Sequence, residues 1–124
     1  SKSILRTTCH YLNEMADEVH YYPAYEIMMD DLRDYRFYES DMIHPNEQGI
    51  DYIWAHFRKT FFDSNTKRTY QKWSKIQRSI NHKPFNPKSE AHQKFLAKIL
   101  KETRQLNGTL NLKNEIKFIQ SQLA

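Results

Sequence analysis

The residues best suited to chemistry form a short run, Asp41-Met42-Ile43-His44-Pro45. An Asp three residues before a His, in a loop that enters a helix, can place its carboxylate against one imidazole nitrogen. The carboxylate then fixes the tautomer and stabilises the imidazolium, while the other nitrogen takes a proton from a nucleophile. Spacing alone equally allows a loop Asp that caps a helix beside an unrelated His, so both interpretations stay open at this point.

A second group of possible ligands lies just upstream and consists of five carboxylates. Oxygen donors of this kind could hold a hard cation such as Mg²⁺ or Ca²⁺. Their spacing does not match an EF-hand loop, and two arginines lie among them, so we favour ion pairs with Arg33 and Arg36. We therefore predict neither a metal nor a cofactor for this chain. The five residues are Asp30, Asp31, Asp34, Glu39 and Asp41.

The elements that must position these residues are predicted to be mostly helical. Two glycines and four prolines in 124 residues are too few for a turn-rich β fold. Pro45 is suited to the first position of a helix, and Ser89 is suited to cap another. Apolar residues at helical spacing, among them Ile50, Trp54 and Phe61, mark inward faces. The predicted elements are helices over residues 3–16, 45–62, 65–81, 90–106 and 111–123, and one strand over 20–29.

A single strand has a structural consequence. It cannot satisfy the hydrogen bonds of its own edges, so it must pair with another copy or with a sheet that lies elsewhere. The chain also begins with Ser1 and not with Met. We therefore expect a fragment of a larger fold.

Charge divides the chain into two segments. Residues 1–62 hold 6 basic and 11 acidic residues, a balance of −5, whereas residues 63–124 hold 13 basic and 4 acidic residues, a balance of +9. The one cysteine, Cys9, excludes an internal disulfide and a cysteine-based zinc site. No apolar run approaches the ~20 residues of a membrane span, and no signal peptide is visible. These features are compatible with a cytoplasmic protein.

The basic segment supports an alternative function. Lys and Arg between residues 67 and 117 could make a small helical module that binds a protein or an anionic polymer, including an anionic membrane. No base-reading motif accompanies them, so we do not expect nucleic acid to be the partner. Solvated basic helix faces would give the same composition.

Several stretches resemble the GSCFA family of bacterial proteins. They are YPAYEI at residues 22–27, DLRDYRFY at 31–38, DMIHP at 41–45 and KIQRSINHKPFNP at 75–87. The resemblance covers most of the chain. It implies an SGNH-type (GDSL-like) ester hydrolase superfamily and a flavodoxin-like α/β sandwich as the parent fold.

The resemblance also implies roles for individual residues. His44 would be the general base and Asp41 its orienting partner, acting on a small ester of unknown identity. The family's catalytic Ser belongs to a Gly-Ser-Cys-Phe-Ala segment that this sequence does not contain, and the blocks that supply oxyanion donors are missing too. Residues 1–62 would then be the C-terminal part of a catalytic domain, and residues 63–124 a basic helical extension. We expect the chain to be inactive alone, and to dock to the rest of its domain or to self-associate.

Overall fold

The computed structural model describes residues 1–123, and its regular elements are helical throughout that range. The prediction of a mostly helical chain is therefore confirmed. Residues Ser1–Phe61 form one compact unit, here called the N-terminal unit, and a second, the C-terminal unit, begins at Phe62. The elements are α1 (Lys2–Met15), α2 (Ala24–Asp30), a 3-10 helix (Tyr35–Phe37), α3 (Glu47–Phe61), α4 (Ser64–Ile80), α5 (Glu90–Leu106) and α6 (Lys113–Gln122).

The strand predicted over residues 20–29 is wrong, and no strand forms anywhere in residues 1–123. Residues 19–23 are irregular, and α2 begins directly after Pro23. The aromatic residues of this stretch favour a strand only where neighbouring strands offer packing. Ala24, Glu26 and Met28 are good helix formers, and a proline is tolerated where a helix starts. The argument that a lone strand marks a fragment therefore fails.

The start of α3 also differs from the prediction. Pro45 is not the first helical residue, because the helix begins at Glu47. Asn46 is the N-cap instead, and its side-chain oxygen accepts hydrogen bonds from the N–H groups of Gln48 (3.1 Å) and Gly49 (3.2 Å). The other predicted helices agree with the structure to within a few residues at each end.

The N-terminal unit buries few apolar side chains. Ile27, Met28 and Leu32 are its buried hydrophobic residues, and α1 has no buried residue at all. The apolar stripe of α3 is only partly covered, since Ile50 is 53% exposed. The helical prediction for this stripe was right, but the expectation that the whole stripe faces inward was not.

Polar and aromatic contacts hold this unit together. The hydroxyl of Tyr22 donates to the carbonyl of Ile53 (2.8 Å), and the Tyr22 ring meets that of Phe57 edge-on at 5.1 Å. Arg6 of α1 forms a salt bridge with Glu26 of α2 (3.5 Å). These contacts fasten α3 and α1 to the segment around α2.

The C-terminal unit has a larger core, built where α5 packs against α4 and α6. Each fully buried Leu or Ile contributes about 1.5–3 kcal/mol relative to an exposed one. The buried hydroxyl of Thr103 is satisfied because it donates to the carbonyl of Ile99 (2.8 Å). Ser89 caps α5 by accepting from the N–H of His92 (3.3 Å), as predicted. The buried core residues are Ile76, Leu96, Ile99, Leu100, Leu106, Leu112 and Ile119.

Candidate functional site

Asp41 and His44 meet in the loop that precedes α3. The Nδ1 atom of His44 lies 2.6 Å from Oδ2 of Asp41, a short contact even beside the ~2.7–2.9 Å of charge-assisted N–H···O hydrogen bonds. A neutral imidazole bonded in this way donates from Nδ1 and carries its lone pair on Nε2. The three-residue spacing thus brings the two side chains into the relation that proton transfer requires.

The second oxygen of Asp41 is held by the backbone. Oδ1 accepts hydrogen bonds from the N–H groups of Ile43 (2.9 Å) and His44 (3.0 Å). Asp side chains often close loops by bonding to the backbone two or three residues ahead. Because both oxygens are engaged, the carboxylate has little freedom to turn away from the imidazole.

The loop itself is closed on both sides by backbone contacts. Tyr38 and Pro45 form an isolated antiparallel bridge, and the N–H of Glu39 donates to the carbonyl of His44 (2.8 Å). Met42 sits at the turn with a φ of 61°, in the left-handed region that non-glycine residues seldom adopt. Its N–H donates to the carbonyl of Glu39 (2.9 Å).

Two residues that follow the loop join it to α3. The side-chain amide of Asn46 donates to the carbonyls of Arg36 (2.6 Å) and Tyr38 (3.4 Å), while its oxygen caps the helix. Gly49 is buried, and a Cβ there would lie 3.0 Å from the carbonyl oxygen of Phe37. The chain before the loop can therefore lie directly against the first turn of α3.

Asp41 and His44 shift each other's protonation. The hydrogen bond from the His44 side chain, helped by the two backbone N–H groups, lowers the pKa of Asp41 from 3.8 to about 2. The same hydrogen bond, followed by the charge of Asp41, raises the pKa of His44 above its ordinary 6.5. Asp41 is thus ionised at neutral pH, and it stabilises the imidazolium form of His44.

The imidazole is accessible to another group. The His44 side chain is 74% exposed, and within residues 1–123 no side chain hydrogen-bonds its Nε2. The arrangement can therefore accept a proton at Nε2 from a nucleophile that approaches from outside, with Asp41 stabilising the charge that develops.

Comparison with known proteins identifies the family. A model described as the GSCFA family matches residues 1–57, and one described as the C-terminal domain of GSCFA domain proteins matches residues 73–124. The chain belongs to the GSCFA family. No curated protein and no solved structure shows significant similarity to it.

None of the helices in residues 1–123 has the length and hydropathy needed to cross a membrane.

Other carboxylates of this GSCFA chain behave partly as predicted. Asp30 pairs with Arg33 (3.6 Å), and Asp34 pairs with Arg36 (3.8 Å), so the expected ion pairs form. Within residues 1–123 no three potential metal ligands come together. The side chain of Asp41 is bonded to His44.

Alternative nucleophiles within the GSCFA chain are poorly placed. Cys9 lies in the middle of α1, where it is half-buried. Ser40 is adjacent to Asp41 in a tight turn. Neither lies in the glycine-rich strand-to-helix turn that exposes nucleophilic serines in hydrolases.

The supporting residues Asn46 and Gly49 were missed by the sequence reasoning. A signal for Asn46 was present, since Asn followed by Glu at the start of an apolar helical pattern is typical of a helix N-cap. Gly49 appears in the sequence only as an isolated glycine within a helical pattern. Such a glycine suggests that another part of the chain packs closely against the helix, but it does not show which part.

Proposed function

We propose that this chain supplies the general base and its orienting carboxylate to an SGNH-type ester hydrolase or acyltransferase. The observation that carries the proposal is the 2.6 Å contact between His44 Nδ1 and Asp41 Oδ2. The other ring nitrogen, Nε2, makes no hydrogen bond to a side chain within residues 1–123. Membership of the GSCFA family agrees with it. The Asp-x-x-His arrangement corresponds to the block that carries the base in SGNH hydrolases.

The proposed reaction uses a serine that lies outside residues 1–124. Its hydroxyl oxygen attacks the ester carbonyl while His44 Nε2 takes the hydroxyl proton. His44 then gives that proton to the leaving alcohol, which departs and leaves an acyl-serine. Water, in a hydrolase, or a second alcohol, in a transferase, gives up its own proton to His44 as it attacks the acyl group. His44 then returns that proton to the serine oxygen as the acyl–serine bond breaks, which frees the serine hydroxyl and releases the acid or the new ester. Asp41 keeps its charge throughout and holds the imidazole in one orientation.

The parent fold belongs to the same proposal. The N-terminal unit would complete a flavodoxin-like α/β domain whose sheet is formed elsewhere, and the C-terminal unit would be its helical extension. The partly exposed stripe of α3 and the uncovered face of α1 support this, because apolar faces of this kind are normally buried against other elements.

The decisive experiment uses a polypeptide that joins these residues to the Gly-Ser-Cys-Phe-Ala segment and to the blocks that supply the oxyanion donors. A fluorophosphonate probe should label its serine, and p-nitrophenyl acetate should be hydrolysed. His44→Ala and Asp41→Asn should each lower kcat by about 10²–10⁴. Glu39→Gln is the matched control, since it removes another carboxylate of the same loop, and its activity should stay within about threefold of the wild type.

The 124-residue chain should show no turnover by itself. Hydrolysis by this chain that disappears in His44→Ala would place the nucleophile within it and contradict the proposal. Equal losses of kcat in Glu39→Gln and Asp41→Asn would also contradict it. They would show that Asp41 acts only through its negative charge and not by orienting His44.

A further inference from the structure

The segment between α4 and α5 carries an unusual combination of exposed residues. Phe85 has a relative exposure of 108%, the highest among the exposed large hydrophobic residues. Lys83 precedes it by two positions and Lys88 follows by three, and both are exposed. The segment Lys83–Lys88 is called the Phe85 loop below. A single exposed aromatic ring is ordinary on a protein surface. This ring lies between two exposed lysines, so the loop presents an apolar group and cationic groups side by side.

The Phe85 loop is held firmly enough to present the ring. Asn86 closes a turn in which its side-chain oxygen accepts from the N–H of Lys88 (3.1 Å) and its carbonyl accepts from the hydroxyl of Ser89 (2.9 Å). The side chain of Gln93 donates to the carbonyl of Pro87 (3.0 Å), which ties the loop to α5. Because Pro87 also restricts the backbone, little conformational entropy remains to be lost on binding.

Basic residues dominate the chain before and within the Phe85 loop, and Glu90, which follows the loop at the start of α5, is paired with Lys94 (2.6 Å). Residues 64–89 contain no Asp or Glu, and they contain seven Lys or Arg residues. Within residues 1–123, only Lys75 of these seven makes a salt bridge, a long one of 4.0 Å to Glu102. Among the other six, Arg68 acts electrostatically on Asp63, and Arg78 donates to the carbonyl of Ser74 (3.3 Å). These six make no salt bridge within residues 1–123. They are Lys67, Arg68, Lys72, Arg78, Lys83 and Lys88.

We propose that the Phe85 loop docks the chain onto an anionic lipid bilayer, with the Phe85 ring inserted at the boundary of head groups and acyl chains. Lys83 and Lys88 would lie at the level of the lipid phosphates. An apolar ring flanked by cations suits this interface, because the ring leaves water while the ammonium groups stay solvated next to negative charge. Pro84 and Phe95 line an apolar cavity together with Phe85, which extends the surface that the acyl region could cover.

A bilayer suits this loop better than a nucleic acid does. Single-stranded nucleic acids bind to grooves in which several aromatic rings stack on successive bases, whereas the loop offers one ring. Binding through the loop does not require a spanning helix, and it is independent of the Asp41–His44 chemistry.

The test is co-sedimentation of the 124-residue chain with sucrose-loaded vesicles. Vesicles of phosphatidylcholine containing phosphatidylglycerol should bind the chain, pure phosphatidylcholine should bind it far less, and high salt should release it. Phe85→Ala should weaken binding about tenfold or more. Lys83→Gln/Lys88→Gln should weaken it about 25-fold, from roughly fivefold for each lysine.

Lys113→Gln/Lys117→Gln is the matched control, because it removes the same charge from exposed positions of α6 in the same unit. Its affinity should fall by less than about threefold, and far-UV circular dichroism should show that all variants fold. Absence of vesicle binding overturns the proposal, as does equal binding to both lipid compositions or an unchanged affinity of Phe85→Ala. The proposal is also overturned if Lys83→Gln/Lys88→Gln and Lys113→Gln/Lys117→Gln lower the affinity for vesicles by the same factor. The proposal also fails if the chain binds duplex DNA more tightly than vesicles, in a salt-sensitive way, and Phe85→Ala does not change the affinity for DNA. That result would indicate that the basic residues bind nucleic acid instead.

Discussion

The proton on His44 is controlled by one short contact. The 2.6 Å hydrogen bond to Asp41 raises the pKa of the imidazole and lowers that of the carboxyl to about 2. The His44 contribution to loop stability is present below pH 6.5 and is lost as the pH rises through the raised pKa. The Asp41 contribution is present above pH 3.8 and is lost as the pH falls towards 2. Both contributions are therefore complete between about pH 4 and pH 6.5.

The shift of His44 can be measured directly in the 124-residue chain. Asp41→Asn removes the negative charge, so the pKa of His44 should fall back to about its ordinary value. A titration followed by the Cε1–H resonance of His44 in NMR spectra measures this. An unchanged His44 titration in Asp41→Asn would show that the pair does not form in solution.

The raised pKa of His44 also predicts how activity depends on pH. If the proposed hydrolase needs neutral His44, its activity should rise with pH, and the midpoint of that rise should lie above pH 6.5.

Sequence reasoning located this pair because the two residues lie in one short loop, where local spacing determines geometry. It failed over residues 20–29, because aromatic residues favour a strand only in a sheet that supplies neighbouring strands, and no other strand forms in residues 1–123. Helical periodicity correctly predicted α3, yet it could not reveal that Ile50 stays exposed, since periodicity identifies an apolar face and not what covers it. Local sequence patterns thus predict secondary-structure elements, whereas the burial of each residue depends on the whole fold.

At the scale of elements, Asn46 links the His44 loop to α3 through two different functions of one side chain. Its oxygen caps the helix, and its amide nitrogen donates to the carbonyls of Arg36 and Tyr38. The two functions can be separated, because an aspartate keeps the capping oxygens and loses the donor.

Asn46→Ala should lower the free energy of unfolding by about 1–2 kcal/mol, since it removes the cap and leaves the two carbonyls without this donor. Asn46→Asp should retain the helix and still disturb the loop, which would appear as altered NMR shifts of His44. Urea denaturation followed by circular dichroism gives the stabilities. Gln48→Ala, on the exposed first turn of the same helix, is the control. A cost in Gln48→Ala as large as that of Asn46→Ala would refute the assignment.

At the scale of the whole molecule, burial is distributed unevenly among helices of similar length. α5 buries six of its 17 residues, whereas α1 buries none of its 14. Helices depend on tertiary packing for most of their stability, so a helix without buried residues opens easily. The apolar face of α1, with Ile4, Leu5 and Leu12 exposed, is also suited to contact another molecule or another segment.

Amide hydrogen exchange should record this difference. In dilute solution the amides of α1 should exchange at least about a hundredfold faster than those around Ile99 in α5. If the chain self-associates through α1, protection of α1 should rise with protein concentration while that of α5 stays constant. Leu5→Gln/Leu12→Gln should abolish the rise, and Phe118→Gln, a single change of the same kind at an exposed position of α6, should leave it intact. Slow exchange of α1 that is independent of concentration would mean that this face is covered within the monomer. Fast exchange at every concentration would contradict self-association, because packing another copy against the face must slow the opening of the helix.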